Sequence, residues 1–236
     1  SRWRYSVVCS FRKNRSRAPA AGYVMIQRIL TYRVWISIGV LWLFHLSAMI
    51  GIALGHGRWF VDLTPLNLSL CLGLLMLNLS VRGSLALIVP FFLGMLSEWM
   101  GVHWGWIYGN YAYGDALGVK WHEVPVMIGV NWALLVYATY AVARVQSWSR
   151  WIRWTIGAAC MVFLDVFMEM QAPALDYWQF EGGMVPLQNY LGWFGVGFLA
   201  HMGFDYLHKD EGTCLPFGRH LYVLFLLFFL FLNWIH

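Results

Sequence analysis

The chain has 236 residues, of which 60% are hydrophobic and only 11% charged, and its mean hydropathy is +0.59. A soluble domain carries about 25% charged residues, so this composition excludes an ordinary soluble enzyme and indicates an integral membrane protein. The net charge of +5 does not mark a nucleic-acid binder: eight of the sixteen Lys and Arg (Arg2, Arg4, Arg12, Lys13, Arg15, Arg17, Arg28 and Arg33) lie in the first 33 residues, where membrane orientation accounts for them.

Residues 1–33 contain Ser and Pro and lack acids. They are expected to form a disordered basic tail ahead of a single transmembrane domain over 34–236, with Met25 a reasonable initiator. The first apolar span is too long to be the core of a cleaved signal. Seven spans of bilayer length follow, at 34–54, 65–81, 84–100, 124–143, 154–170, 187–207 and 220–235. The expected fold is therefore an all-α membrane protein, a bundle of about seven transmembrane helices with short connections and no internal repeat. With the N-terminus in the cytoplasm, the inner loops hold Arg82, Arg144, Arg150, Arg153, Lys209 and Arg219, and the outer loops only Arg58 and Lys120. That asymmetry sets the orientation, and a bacterial cytoplasmic (inner) membrane is the expected location.

Many polar and aromatic residues need no function. His45 in the first span, and Asn78 and Asn233, read as interhelical hydrogen-bonding residues. The aromatic run WGWIYGNYAYG at 104–114 reads as an interfacial belt. The final span, YVLFLLFFLFLNWI, is apolar on every side and reads as lipid-facing. The four Cys (Cys9, Cys71, Cys160, Cys214) are scattered and suggest neither a disulfide framework nor a zinc site.

The acids stand apart. A carboxylate at membrane depth costs a few kcal/mol and usually faces a bundle interior or a cavity. Glu98 lies near the outer end of the third span. Asp165 is about three turns into the fifth, and Glu169, four residues on, shares its helix face. An amide, Asn189, opens the sixth span beyond a segment rich in Pro, aromatics and Gly. In the expected orientation Glu98, His103, Glu123, Asp165, Glu169 and Asn189 all fall in the outer half of the membrane or just outside it. Two carboxyls as close as Asp165 and Glu169 repel if both ionise, so a neutral carboxylic acid is expected in the pair. Such an acid among aromatic faces suits protonation of an isolated carbon–carbon double bond, with the rings stabilising a cation.

Other membrane chemistries lack their parts. The eight His form no H-x-x-x-H pairs of the kind that hold two irons, and one D-x-x-x-E without a partner motif does not make a diphosphate–magnesium site. His201, Asp205 and His208 share a helix face at the cytoplasmic end and read as a hydrogen-bonded set rather than a metal site. No Gly-rich phosphate loop or G-x-S-x-G elbow is present.

The stretch from Glu98 through GVHWGWIYGNYAYGDALG to HEVPVMIGVNW (122–132) resembles the first signature of a bacterial and archaeal membrane family of carotenoid biosynthesis. Asp165, Glu169, Ala172-Pro173-Ala174, Asp176-Tyr177-Trp178, Pro186, Asn189, Gly192 and Trp193 match its second signature, and the likeness covers roughly 30–235. A departure lies at Met170 and Gln171, where an acid is expected directly before the Pro segment, so Asp165 and Glu169 both stay candidates for the family's acid. The best-understood members are integral-membrane carotenoid 1,2-hydratases of the gamma-carotene and bisanhydrobacterioruberin type. The resemblance implies hydration of the terminal C1–C2 double bond of an acyclic carotenoid such as lycopene or a gamma-carotene-like molecule, in the lipid bilayer and alongside other carotenoid-biosynthesis enzymes. It implies no nucleic acid, no cofactor and no metal. Asp165 or Glu169 would protonate C2, Glu98 with Asn189 or His103 would position and deprotonate water, and Tyr108, Tyr111, Trp132, Trp178 and Trp193 would surround the substrate. Two alternatives share these residues: a carotenoid or terpenoid cyclase using the same acids, and a non-enzymatic carotenoid-binding subunit.

Overall fold

The computed structural model describes residues 21–209 and 214–235. Of the expected N-terminal tail, residues 1–20 lie outside the described residues, whereas the part from Ala21 onward already belongs to the first helix. That helix, α1 (Ala21–Gly51), runs into a π-helical turn at Ile52–His56, where Gly55 takes φ 89°, and continues as the short α2 (Gly57–Asp62). A left-handed residue ends regular helix here, and only Gly adopts it without a steric penalty. Next come α3 (Thr64–Leu77), α4 (Val81–Ala86) and α5 (Ile88–Trp104). Ser80 caps α4 by accepting from the Gly83 N–H, and Gly105 in the left-handed conformation ends α5. The remaining helices are α6 (Val126–Ala143), α7 (Arg150–Glu169), α8 (Leu187–His208) and α9 (Leu215–Ile235). Pro125 and Pro186 stand immediately before α6 and α8, where a missing N–H does no harm.

The protein is thus an all-α membrane protein. All seven apolar spans are helical, and among the described residues five helices are long and apolar enough to cross a membrane. The third expected span is built from α4 and α5 together. Two short antiparallel ribbons add a feature that hydropathy does not show. β1 (Tyr111–Tyr113) pairs with β4 (Trp178–Phe180), and β2 (Lys120–Trp121) with β3 (Val124–Pro125). The β2–β3 turn places both His122 (φ 45°) and Glu123 (φ 67°) in the left-handed region, the pattern of a two-residue hairpin.

α6 is the axis of the bundle. It has no charged residue and four Ala, and it packs against α3, α5, α7, α8 and α9. From Ile128 to Ala141 every residue but one is buried. Close approach needs small residues: a β-carbon on Gly94 of α5 would fall on the Trp132 indole. α9 differs from its expected lipid-facing role. Phe217, Leu221, Leu224, Phe225 and Leu232 are buried, with α6, α7 and α1 as neighbours. A span apolar all round has no polar stripe to betray its buried side, so only packing distinguishes the two faces.

The smaller polar residues are absorbed by packing. His45 bonds the Leu41 carbonyl at 2.8 Å and Asn78 donates to Ser37 at 2.8 Å, while Asn233 joins the Phe167 carbonyl to the Gln171 amide. At the opposite end of the bundle from the ribbons, Asp205 accepts from Trp154 (3.1 Å) and Tyr140 (3.3 Å), with the Arg150 Nε at 3.7 Å. His201 bonds Thr139 and the Gly197 carbonyl. This set ties α6, α7 and α8 together.

Candidate active site

The carboxyls meet at the end of the bundle where α5 and α7 finish and α6 and α8 begin. Glu98 lies nearly two turns before the end of α5, Glu169 is the last residue of α7, and Asn189 is in the first turn of α8. Burial is nearly complete: Glu98 is 4% exposed, Asp165 0%, Glu169 5% and Asn189 2%. Buried polar groups must be hydrogen-bonded, and the partners come mainly from the loops. The β1–β4 register sets Tyr113 beside Trp178 and Tyr111 beside Phe180. Alternation along each strand then turns Tyr111, Tyr113, Trp178 and Phe180 toward the bundle and Ala112 and Gln179 away from it. The ribbon is therefore a lid of aromatic donors.

Tyr111 and Tyr113 both donate to Oε2 of Glu98, the latter at 2.7 Å, and the Trp132 indole N–H donates to Oε1 at 3.0 Å. Three donors give Glu98 the acceptor pattern of a carboxylate. Glu169 accepts from Trp178 at 2.8 Å on one oxygen and from Asn189 at 2.9 Å on the other. The same Asn189 amide donates to Oδ2 of Asp165 at 3.0 Å, so one side chain bridges both acids. The second oxygen of Asp165 is buried without a hydrogen-bond partner. Burial, and the neighbouring Glu98 charge, hold the Tyr108, Tyr111 and Tyr113 phenols well above the usual tyrosine range, which keeps them neutral donors.

These groups enclose a cavity of about 10 Å³, lined by Glu98, Glu169, Asn189 and the rings of Tyr108, Tyr111, Tyr113, Trp132, Trp178 and Trp193, with Asn131 and Ile128 at one side. That is about the volume one water occupies. Trp132 and Trp193 stack at 4.6 Å and 20° along one wall. Tyr108 is fixed by a 2.8 Å bond to Ser97, in a loop with Gly105, Ile107 and Gly109 all at positive φ. A β-carbon on Gly192 would strike the Ile107 carbonyl, so α8 needs Gly to accept this loop.

Against the second side lies a larger apolar cavity of about 450 Å³ between α1, α2, α3 and α9, within the ~300–1,000 Å³ usual for small-molecule sites. Ile128, Asn131 and Trp178 line both spaces, so they form a common wall. The larger cavity includes the exposed Leu43 and Phe44 of α1 and Leu66 of α3 on its rim. Its floor includes Phe225, Phe228 and Phe229 of α9 and Met168 of α7. Thr64 and Tyr177 close one corner through a 2.8 Å hydrogen bond.

Nine of the ten residues expected at the site come together: Asp165, Glu169, Glu98, Tyr108, Tyr111, Trp132, Trp178, Asn189 and Trp193. His103 does not join them. It is exposed, bonds the Trp99 carbonyl at 3.0 Å and packs on the Trp99 ring. Glu123 is likewise exposed, in the β2–β3 turn. Asp165 sits behind Asn189 and does not line the small cavity. Sequence reasoning passed over two polar lining residues, Tyr113 and Asn131. The i, i+2 spacing from Tyr111 to Tyr113 is the strand signal that points to the first. An amide in an otherwise uncharged span points to the second.

The fold and site define a polytopic helical membrane protein whose buried carboxyl cluster adjoins an apolar cavity. The chain belongs to the carotenoid biosynthesis protein family, which matches residues 65–236. Every residue named on the small cavity lies inside that stretch. The chain is also similar to bisanhydrobacterioruberin hydratase of Haloarcula japonica, 31% identical over 135 residues that take in 53% of this chain and 45% of the relative. It thus spans less than half the length of that curated relative. No solved structure matches the chain.

Proposed function

We propose that the protein is a carotenoid hydratase, which adds water across the terminal C1–C2 double bond of an acyclic carotenoid end. The observation that carries this reading is the junction of a water-sized, carboxyl-lined cavity with an apolar one large enough for the end of an isoprenoid chain. The similarity to a hydratase agrees with it. A cyclase would need room for a folded chain at the acids, and a space of about 10 Å³ lined by two carboxyls and two amides favours water instead.

In this mechanism the carotenoid end lies in the larger cavity with its last double bond at the common wall. The Glu169 carboxylic acid gives its proton to C2, the π electrons form the new C–H bond, and C1 becomes a tertiary cation. Trp132, Trp178 and Trp193 face that charge. Water bonds to C1 through oxygen and loses a proton to the Glu98 carboxylate, leaving a tertiary alcohol. Both acids line one cavity, so the next water returns the proton from Glu98 to Glu169. The reaction is redox-neutral. Asp165, behind Asn189, keeps the amide turned toward Glu169. The Arg- and Lys-bearing end of the bundle faces the cytoplasm, which sets the site in the outer half of the membrane.

Expression in a lycopene-accumulating bacterium tests the reading. A pigment heavier by one water with an unchanged visible spectrum is the expected product. An isomer of unchanged mass and shortened chromophore would mean cyclisation, and unaltered pigment with protein in the membrane would refute both.

A further inference from the structure

Asn131 is the one residue of α6 between Ile128 and Ala141 that is not fully buried. Its exposure is to the interior: it lines the carboxyl cavity and the apolar cavity alike. It directly precedes Trp132, whose indole holds Glu98, and it follows Met127 by one turn on the side of α6 where Met127 meets Ser69 of α3. Its amide makes no side-chain hydrogen bond with the described residues, although it can donate two and accept two. An amide left unpartnered against an apolar cavity is costly. The other hydroxyl, amide and indole groups named on the small cavity, Trp193 apart, are engaged within the protein: Tyr108 by Ser97, Tyr111, Tyr113 and Trp132 by Glu98, and Trp178 and Asn189 by Glu169. Asn131 is thus the lining residue with donor and acceptor capacity to spare, and it stands where water and chain end meet.

We infer that Asn131 holds the attacking water at the boundary between the two cavities and so decides that the cation is hydrated rather than deprotonated. This rests on the hydratase reading. Its amide oxygen accepts one water hydrogen, Glu98 takes the other as the O–C1 bond forms, and the water lone pair is left aimed at C1. Without a held water, the cation loses a proton from a C1 methyl group or from C2 and returns to an alkene of the original mass. Protonation at C2 by Glu169 does not need Asn131.

Membranes carrying lycopene and Asn131→Leu, incubated in D2O, separate the two steps. The expected result is hydrated carotenoid reduced about 100-fold, the usual loss for a preorganised polar contact, with deuterium still accumulating in alkene of unchanged carbon skeleton. Asn131→Ser, which restores a hydroxyl and leaves space, should recover most hydration. Hydration by Asn131→Leu at the wild-type rate would overturn the inference. So would loss of deuterium uptake together with hydration in a variant that gel filtration shows to be folded, because Asn131 would then act on protonation. A wild-type protein that neither adds water nor takes up deuterium overturns the hydratase reading itself, and the role of Asn131 with it.

Discussion

Replacing Glu169 by Gln removes one ionisable proton at nearly constant shape. In the wild type, Oε2 accepts from the Trp178 indole and Oε1 from the Asn189 amide. A Gln amide keeps one acceptor and turns an NH2 toward the other donor, whichever way it is rotated. One buried donor is therefore left unpaired, at a cost of about 1–3 kcal/mol, which lowers the melting temperature without unfolding the bundle. Turnover should suffer far more, because loss of a positioned general acid costs about 100- to 10,000-fold, or roughly 2.7–5.4 kcal/mol in the barrier. The assay is formation of the tertiary alcohol from lycopene in membranes, resolved by mass and divided by folded protein from gel filtration. Turnover per folded molecule equal to wild type in Glu169→Gln would refute the assignment of the acid.

Asp165→Asn should lose less than the roughly 100-fold that marks removal of a general acid, since Asp165 acts through Asn189; an effect larger than that of Glu169→Gln would exchange their roles. Tyr113→Phe takes one of three donors from Glu98, and thermal unfolding should show a loss of about 1.5–3 kcal/mol, the range for a hydrogen bond to a charged group. His103→Ala, remote from the cavity, should leave turnover per folded protein unchanged; a large drop would place His103 on the reaction path. Burial opposes the phenolate form, so Tyr108, Tyr111 and Tyr113 lie well above the usual range and Tyr177 is pushed up to about 12. An absorbance titration should leave these four phenols un-ionised near pH 10, about where an exposed Tyr ionises; ionisation of all twelve Tyr in one step there would contradict the buried lid.

Much of this architecture was legible in the residues themselves. Seven predominantly apolar runs of bilayer length point to helices, because each backbone N–H and C=O must be satisfied within its own segment. Asp165, Glu169 and Glu98 declared themselves by the cost of a carboxyl at membrane depth, and Asn189 by its place at the start of a span. Periodicity could not say which side of α9 is buried, since all its sides are apolar, nor which of Asp165 and Glu169 reaches open space, since both share one helix face. Those choices belong to the tertiary structure. The β1–β4 pairing joins loops some 67 positions apart, making Tyr111 and Tyr113 of a run that reads as an interfacial belt into donors of Glu98 beside Trp178, a donor of Glu169. The meeting of α3, α6 and α9 leaves Asn131 facing two cavities at once. Composition and local pattern determine what each segment buries, because transfer from water and backbone satisfaction act residue by residue. Which buried groups touch depends on long-range packing, and only the folded chain decides that.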